Sequence, residues 1–156
     1  MPVSRFYEGW SAFNDNMVAI IAPLDTAQLG LRSGPDQRRI WFLAAHLVAT
    51  RVSWFHEWMF EGPASLMAPA VWDDDDAPAR TSEELVHGLR ETWAMIDGCL
   101  HRWTPEMLDE AFLHPREPRE PRSRQWITWH VIEHDLVHGG ELALTLGVHA
   151  LAVPDW

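Results

Sequence analysis

The stretch from Arg124 to Gly147, RQWITWHVIEHDLVHGGELALTLG, constrains the fold most. It holds three of the nine histidines, His130, His134 and His138, each four residues from the next. Apolar residues recur at helical spacing through Ile127, Val131, Leu142 and Leu146, which predicts an amphipathic helix. Ser123 has the hydroxyl of an N-cap and Gly147 the conformational freedom of a C-cap, so the flanks agree with that span. In a helix, side chains at i and i+4 stand one above the other on a single face. His134 and His138 can therefore offer two imidazoles to one metal ion, the geometry behind His-x-x-x-His ligand pairs. Taken singly, each of these residues reads as an ordinary surface or core histidine; three in register beside an apolar side leave metal binding open as the alternative.

The rest of the chain reads as further helices of the same kind. From about Ser4 to Leu24, Phe6, Trp10, Phe13, Met17, Ile20 and Leu24 recur in steps of three and four and predict one buried stripe. Pro23, Gly30, Gly34 and Pro35 then mark a loop. A second helix is expected from Asp36, as N-cap, to Phe60, with Gly62-Pro63 as its stop. His46 falls in the most apolar part of that helix, among Leu43, Ala44, Ala45, Leu47 and Val48. A buried ionisable ring is costly unless it is paired or bound. Alone, His46 reads as a core histidine with one hydrogen bond; beside a His-x-x-x-His pair it reads as a third ligand. At about 100° per residue, Thr50, Ser53 and Glu57 lie within roughly 40° of His46 and give its face a polar continuation suited to a cavity wall. His56 projects about 80° away and is the weaker candidate.

Residues 61–80 show neither a helical nor a strand period. They hold Pro63, Pro69, Pro78 and the run Asp73 to Asp76, which reads as a solvated loop, with a hard-cation site as the minor alternative. Such a connection is too long for a tight hairpin and can travel the length of a bundle, leaving the helices on either side of it parallel. The third long helix begins at Thr81, whose spacing to Glu84 is that of a capping box. Leu85, Leu89, Trp93, Ile96, Leu100 and Trp103 form its apolar stripe. Cys99 adjoins that stripe and reads as an inert buried thiol, while His87 and His101 read as surface positions. Thr104-Pro105-Glu106 starts a short turn through Leu108. His114 to Arg122 is a charged, proline-rich linker that cannot be helical and is expected to pack over one end of the bundle. Its arginines are candidates to touch an anionic substrate, a solvated loop being the plainer reading. Four long amphipathic segments without a convincing strand predict an all-α four-helix bundle.

Charge and composition narrow the function. A chain of 156 residues with 47% hydrophobic content supports one domain with one core. Ten tryptophans make that core, or a pocket, rich in aromatic surface. A formal net charge of −11 argues against nucleic acid, whose phosphates require a basic surface. It argues equally against anionic membranes and favours a soluble chain. The single cysteine, Cys99, excludes an intramolecular disulfide and suits a reducing cytosol. No apolar run reaches the length of a membrane span, and the N-terminus lacks a basic-then-apolar signal pattern, so a cytoplasmic protein is expected.

His46, His134 and His138 are then the three histidines expected near the inner faces of two helices. A pair at i,i+4 fixes a line, and a third ligand from another helix closes a triangle. Three protein nitrogens leave positions for water or substrate, as catalytic sites do. Neutral imidazoles suit Zn²⁺, Ni²⁺ or Fe²⁺ alike. Glu141 lies within about 20° of His134 around the helix. It is a candidate acceptor for a ligand ring, or a catalytic base acting on a water held by the ion. His130 flanks the same side and is a further candidate for that supporting layer.

These residues resemble those of the DinB-type, or DinB/YfiT-like, superfamily of bacterial four-helix metal-binding proteins, and the likeness covers nearly the whole chain. Its marks are a tryptophan-bearing first helix and the phrases IWFLAAHLVATRVSW and WHVIEHDLVHGGELALTLG. The superfamily pattern of one histidine on the second helix and His-x-x-x-His-Arg-Gly-Gln on the fourth implies His46, His134 and His138 as ligands. Here Gly139 stands at the arginine position and Glu141 at the glutamine position, which leaves the ligands intact but alters the surroundings of the substrate. The resemblance further implies an up-down-down-up bundle with its long crossover between the second and third helices, and a homodimer. It implies metal activation of a low-molecular-weight thiol, such as mycothiol or bacillithiol, for transfer to or isomerisation of a small-molecule substrate, as in the maleylpyruvate isomerase relatives. Two other readings stay open. His134-Asp135-x-x-His138 is similar to the His-Glu-x-x-His of zincin hydrolases, but aspartate is a methylene shorter than the base of that motif and no third ligand follows at its spacing. A non-catalytic, metal-stabilised binding or dimerisation module of a stress-related kind is the alternative from a different class.

Overall fold

The apolar stripes of the sequence appear as helices in the structure, a computed structural model that describes residues 3–116 and 120–154. A 3₁₀ turn at Val3–Phe6 leads into α1 (Glu8–Ile21), followed by the short α2 (Thr26–Leu29). Next comes α3 (Ile40–Arg51), which runs on as a π-helical segment over Val52–Trp58. A 3₁₀ segment at Ala64–Val71 precedes α4 (Ser82–Arg102), and a 3₁₀ turn at Pro105–Asp109 follows it. Two-residue strands, β1 (Ala111–Phe112) and β2 (Arg122–Ser123), pair antiparallel just before α5 (Arg124–Val148). The chain is thus mostly helical. Among the described residues no helix is long and apolar enough to cross a membrane.

Local chemistry accounts for most of these limits. Thr81 and Glu84 form the expected capping box, each side chain accepting from the other's backbone N–H. Ser123 accepts from the Trp126 N–H and starts α5 where its spacing predicted. Asp36 does not cap α3. That helix begins at Ile40 after an extended Arg39, and the cap among these residues belongs to Asp25, which forms a box with Gln28 at the head of α2. Nor does Gly147 end α5; it stays helical, and the chain turns through Ala150, whose φ of 55° lies in the left-handed region. The stripe of α1 starts at Trp10, because Phe6 sits on the preceding 3₁₀ turn and is 71% exposed.

The helices bury those stripes against one another, α3 against α4 and α5, and α1 against α4. Phe13, Met17, Leu47, Phe55, Leu85, Leu89, Ile96, Ile127, Val131 and Leu142 meet in the core, each worth about 1.5–3 kcal/mol once fully buried. An ionic cluster crosses this core. Arg51 and Asp135 pair at 2.8 Å with both side chains at 0% exposure. Trp10 Nε1 donates to the same carboxylate at 2.7 Å, and Arg51 donates to Asn14 at 2.8 Å.

The connection expected to be a loop holds the 3₁₀ segment Ala64–Val71, anchored by buried Leu66. Just beyond it, Trp72 lies against α4 at Gly88, where a Cβ would come within 2.7 Å of the indole. Only glycine tolerates that approach, and it fixes where residue 73 is delivered. Residues 117–119 of the proline-rich linker lie outside the described residues.

Candidate metal centre

His46 projects from a turn of α3 whose neighbours Leu43, Ala44, Ala45, Leu47 and Val48 are buried, so packing sets the ring's direction. His134 and His138 project from α5 between positions, Val131, Asp135 and Leu142, that are fully buried. Helix periodicity on α5 and the contact of α3 with α5 thus bring the three rings together. Their centroids lie 4.3 Å (His134 to His138), 4.7 Å (His46 to His134) and 4.8 Å (His46 to His138) apart. One nitrogen from each falls within 4.8 Å of the others.

Two of the rings are oriented by carboxylates. His46 Nδ1 lies 2.5 Å from Asp73 Oδ2, and His138 Nδ1 lies 2.7 Å from Glu141 Oε2. A carboxylate oxygen accepts, so Nδ1 is the donor in each pair and Nε2 is the nitrogen left for an ion. This is the arrangement by which metal-binding histidines are held in one tautomer. His134 differs. Its Nε2 is 3.5 Å from the Thr50 hydroxyl, and its Nδ1 is buried without a hydrogen-bond partner. Burial first, then the neighbouring charges of His138, His46, His130 and Arg38, push its pKa down to about 3. The ring is therefore neutral at physiological pH, as a ligand must be. Three imidazoles, two presenting Nε2 and one held neutral with a nitrogen unsatisfied, fit a borderline divalent cation.

The remaining candidates fall in different places. Glu141 reaches His138 rather than His134 and is 46% exposed. His130 stands outside the cluster, its ring stacked on Trp126 at 5.1 Å and 6.3 Å from His134. His56 hydrogen-bonds the Glu61 carbonyl at 2.6 Å. Asp135, at the position of the zincin base, is fully buried in the core, its carboxylate taken up by Arg51 and Trp10. It cannot reach a substrate at the cluster. Cys99 is buried, and burial, with the Glu61 charge second, pushes its thiol up to about 12. It stays protonated and is no nucleophile. Asp73 was missed as a functional residue: it reads as one of four solvated aspartates, yet it is the one on His46. Its partner is 27 residues away along an aperiodic connection, so no spacing rule reports it.

Two cavities flank the cluster. One of about 370 Å³ is lined by Thr50, Ser53, Trp54, Glu57, Asp73 and Arg116, so the polar continuation of the His46 face is a cavity wall. The other, about 280 Å³, is bordered by Arg38, Leu43, His138, Glu141 and Thr145.

Comparison with known proteins finds relatives of this chain in family and in fold. The sequence model of the DinB superfamily matches residues 10–142. A DinB-like protein from Bacillus cereus ATCC 10987 superposes with a TM-score of 0.73 at 16% identity, covering 99% of this chain and 97% of its own. A conserved protein from Enterococcus faecalis superposes with a TM-score of 0.66 at 17% identity, covering 94% and 99%. At such identities the likeness is one of fold. No curated protein matches the sequence.

Proposed function

The chain belongs to the DinB superfamily, and on that premise we propose that it is a divalent-metal-dependent enzyme of the thiol S-transferase kind acting on a small molecule. The observation that carries this reading is the cluster of His46, His134 and His138, with two rings oriented by Asp73 and Glu141, opening beside a cavity. These three histidines would hold Zn²⁺, Ni²⁺ or Fe²⁺, and such an ion lowers the pKa of a thiol or water beside it. The protein's own part is positional. Asp73 and Glu141 keep the rings in register, and buried Val131 and Leu142 hold the His134 and His138 turns of α5 rigid. Glu141 would also take a proton from the nucleophile and pass it to water, a role supported by its contact with His138 and its 46% exposure. A low-molecular-weight thiol is the cosubstrate that this arrangement suits. On the same reading the helices form an up-down-down-up bundle, and the protein works in the cytoplasm as a homodimer.

The test is elemental analysis of untagged protein, wild type and His134→Ala, followed by thiol-transfer assays. About one ion per chain, lost together with turnover in the variant, is expected. Turnover that survives removal of the ion refutes the enzyme mechanism. An ion that is bound and needed for folding, with no turnover of any thiol, would place the chain among metal-stabilised binding modules instead.

A further inference from the structure

The larger cavity beside the cluster is not neutral towards charge. Its wall includes Ser53, Trp54 and Glu57 from the π-helical segment, a rare conformation frequently found at functional sites. Glu57 is 13% exposed on its side chain, so its carboxylate is nearly out of water and requires a counter-charge. That charge is Arg116 Nη2 at 2.6 Å, from a linker side chain that is 69% exposed. A guanidinium so largely solvated gives a weak pairing and is readily exchanged. The cavity is lined by three carboxylates, Glu57, Asp73 and Asp74, of which Asp73 is engaged by His46, against the single Arg116 guanidinium, so its lining is acidic. At its Glu57 end, away from the histidines, such a cavity disfavours anions and attracts cations. Of the linker arginines, read as candidates to touch an anionic substrate or as a solvated loop, Arg116 is engaged by Glu57. Ala49, Ala70, Val71 and the Trp54 ring add apolar surface to the same lining.

We propose that this cavity takes a small primary amine, its ammonium group replacing the Arg116 guanidinium on Glu57 and its apolar body lying along Trp54. Glu57 is then the residue that selects substrate by charge, and Arg116 occupies the seat when no substrate is present. Thr50 and Asp73, which touch His134 and His46, join the cavity to the cluster, so the other end of the ligand faces the three histidines. The proposal deepens the functional reading above and rests on it in taking this cavity as the substrate side of the cluster.

The experiment is calorimetric titration of the 156-residue chain, first stripped with chelator and then loaded with Zn²⁺, using phenethylammonium, 2-phenylethanol and 3-phenylpropionate. The amine should bind about tenfold or more tighter than the alcohol, and the carboxylate should not saturate. Glu57→Gln should abolish the preference. Arg116→Ala should tighten the amine by about two- to fivefold, while Arg122→Ala, which removes a guanidinium stacked over Trp126, leaves it unchanged. Melting curves establish that each variant is folded. Equal binding of amine and alcohol, failure of the amine to saturate, or an amine preference that survives Glu57→Gln overturns the proposal. Zn²⁺ uptake on the same samples separates the two claims. Preference without uptake removes the metal reading and leaves the cation seat; uptake without preference does the reverse.

Discussion

Asp135 stands between two histidines of the cluster in sequence and belongs wholly to the core in space, so replacing it separates a structural role from a catalytic one. Its carboxylate accepts from Arg51 Nε at 3.0 Å, Arg51 Nη2 at 2.8 Å and Trp10 Nε1 at 2.7 Å. Asp135→Asn keeps the shape but removes the charge and turns one oxygen into an NH₂ group that faces donors. Arg51 keeps its charge at 0% exposure, left with Asn14, the Thr92 hydroxyl and the Leu89 carbonyl, all neutral. Removing one member of a buried ion pair costs about 3–5 kcal/mol, against a total stability of about 5–15 kcal/mol for a domain. At about 2–4 °C per kcal/mol for a chain of this size, the melting temperature should fall by roughly 6–20 °C. Calorimetric melting of chelator-treated protein reads this directly, and Zn²⁺ stoichiometry at low temperature should be unchanged. Pairing the change with Arg51→Met should give a double variant less destabilised than the sum of the single ones. A fall of less than about 3 °C accompanied by loss of turnover would refute the assignment and restore Asp135 as a zincin-like base.

Asp73→Ala should leave one ion per chain at saturation but weaken its binding by about 10–100-fold, read by competition with a chelating dye; undiminished affinity would mean that Asp73 does not orient His46. In metal-free protein, His134 titrates at about 3 when folded and near 6.5 when unfolded. The unfolded chain therefore takes up the proton first as pH falls. The resulting stability is complete above about pH 6.5 and drains away towards pH 3. Urea midpoints of wild type should thus drop more between pH 7.5 and 5 than those of His134→Ala, and equal drops would contradict the depressed value. If the proposed homodimer forms, its interface is expected on the side of α5 where Trp129, Leu136, Val137 and Leu144 are exposed. Trp129→Glu with Leu136→Glu should yield a monomer by light scattering, and a wild type already monomeric would dispose of the interface.

Whatever depends on neighbours within a turn or two was legible in the chain. The capping box of Thr81 and Glu84, the Ser123 cap and the stripes through Leu85 and Ile127 follow from hydrogen bonds and periodicities spanning three or four residues. The same rule puts His134 and His138 on one face and Thr50, Ser53 and Glu57 on the His46 side. Local signals misled where a competing contact existed. Asp25 rather than Asp36 caps a helix, and Phe6 continues a period but belongs to a turn that leaves it in solvent. Nothing local could report that Trp72 packs on Gly88 and so carries Asp73 to His46, that Asp135 turns away from its histidine neighbours to meet Arg51, or that Glu57 pairs with Arg116 across a cavity. Each joins residues 16 or more positions apart, and its energy exists only once the helices have packed and excluded the water that would otherwise satisfy both partners. The sequence by itself determined the helices and named three histidines. Tertiary packing decided which carboxylates hold them and which charge the cavity presents.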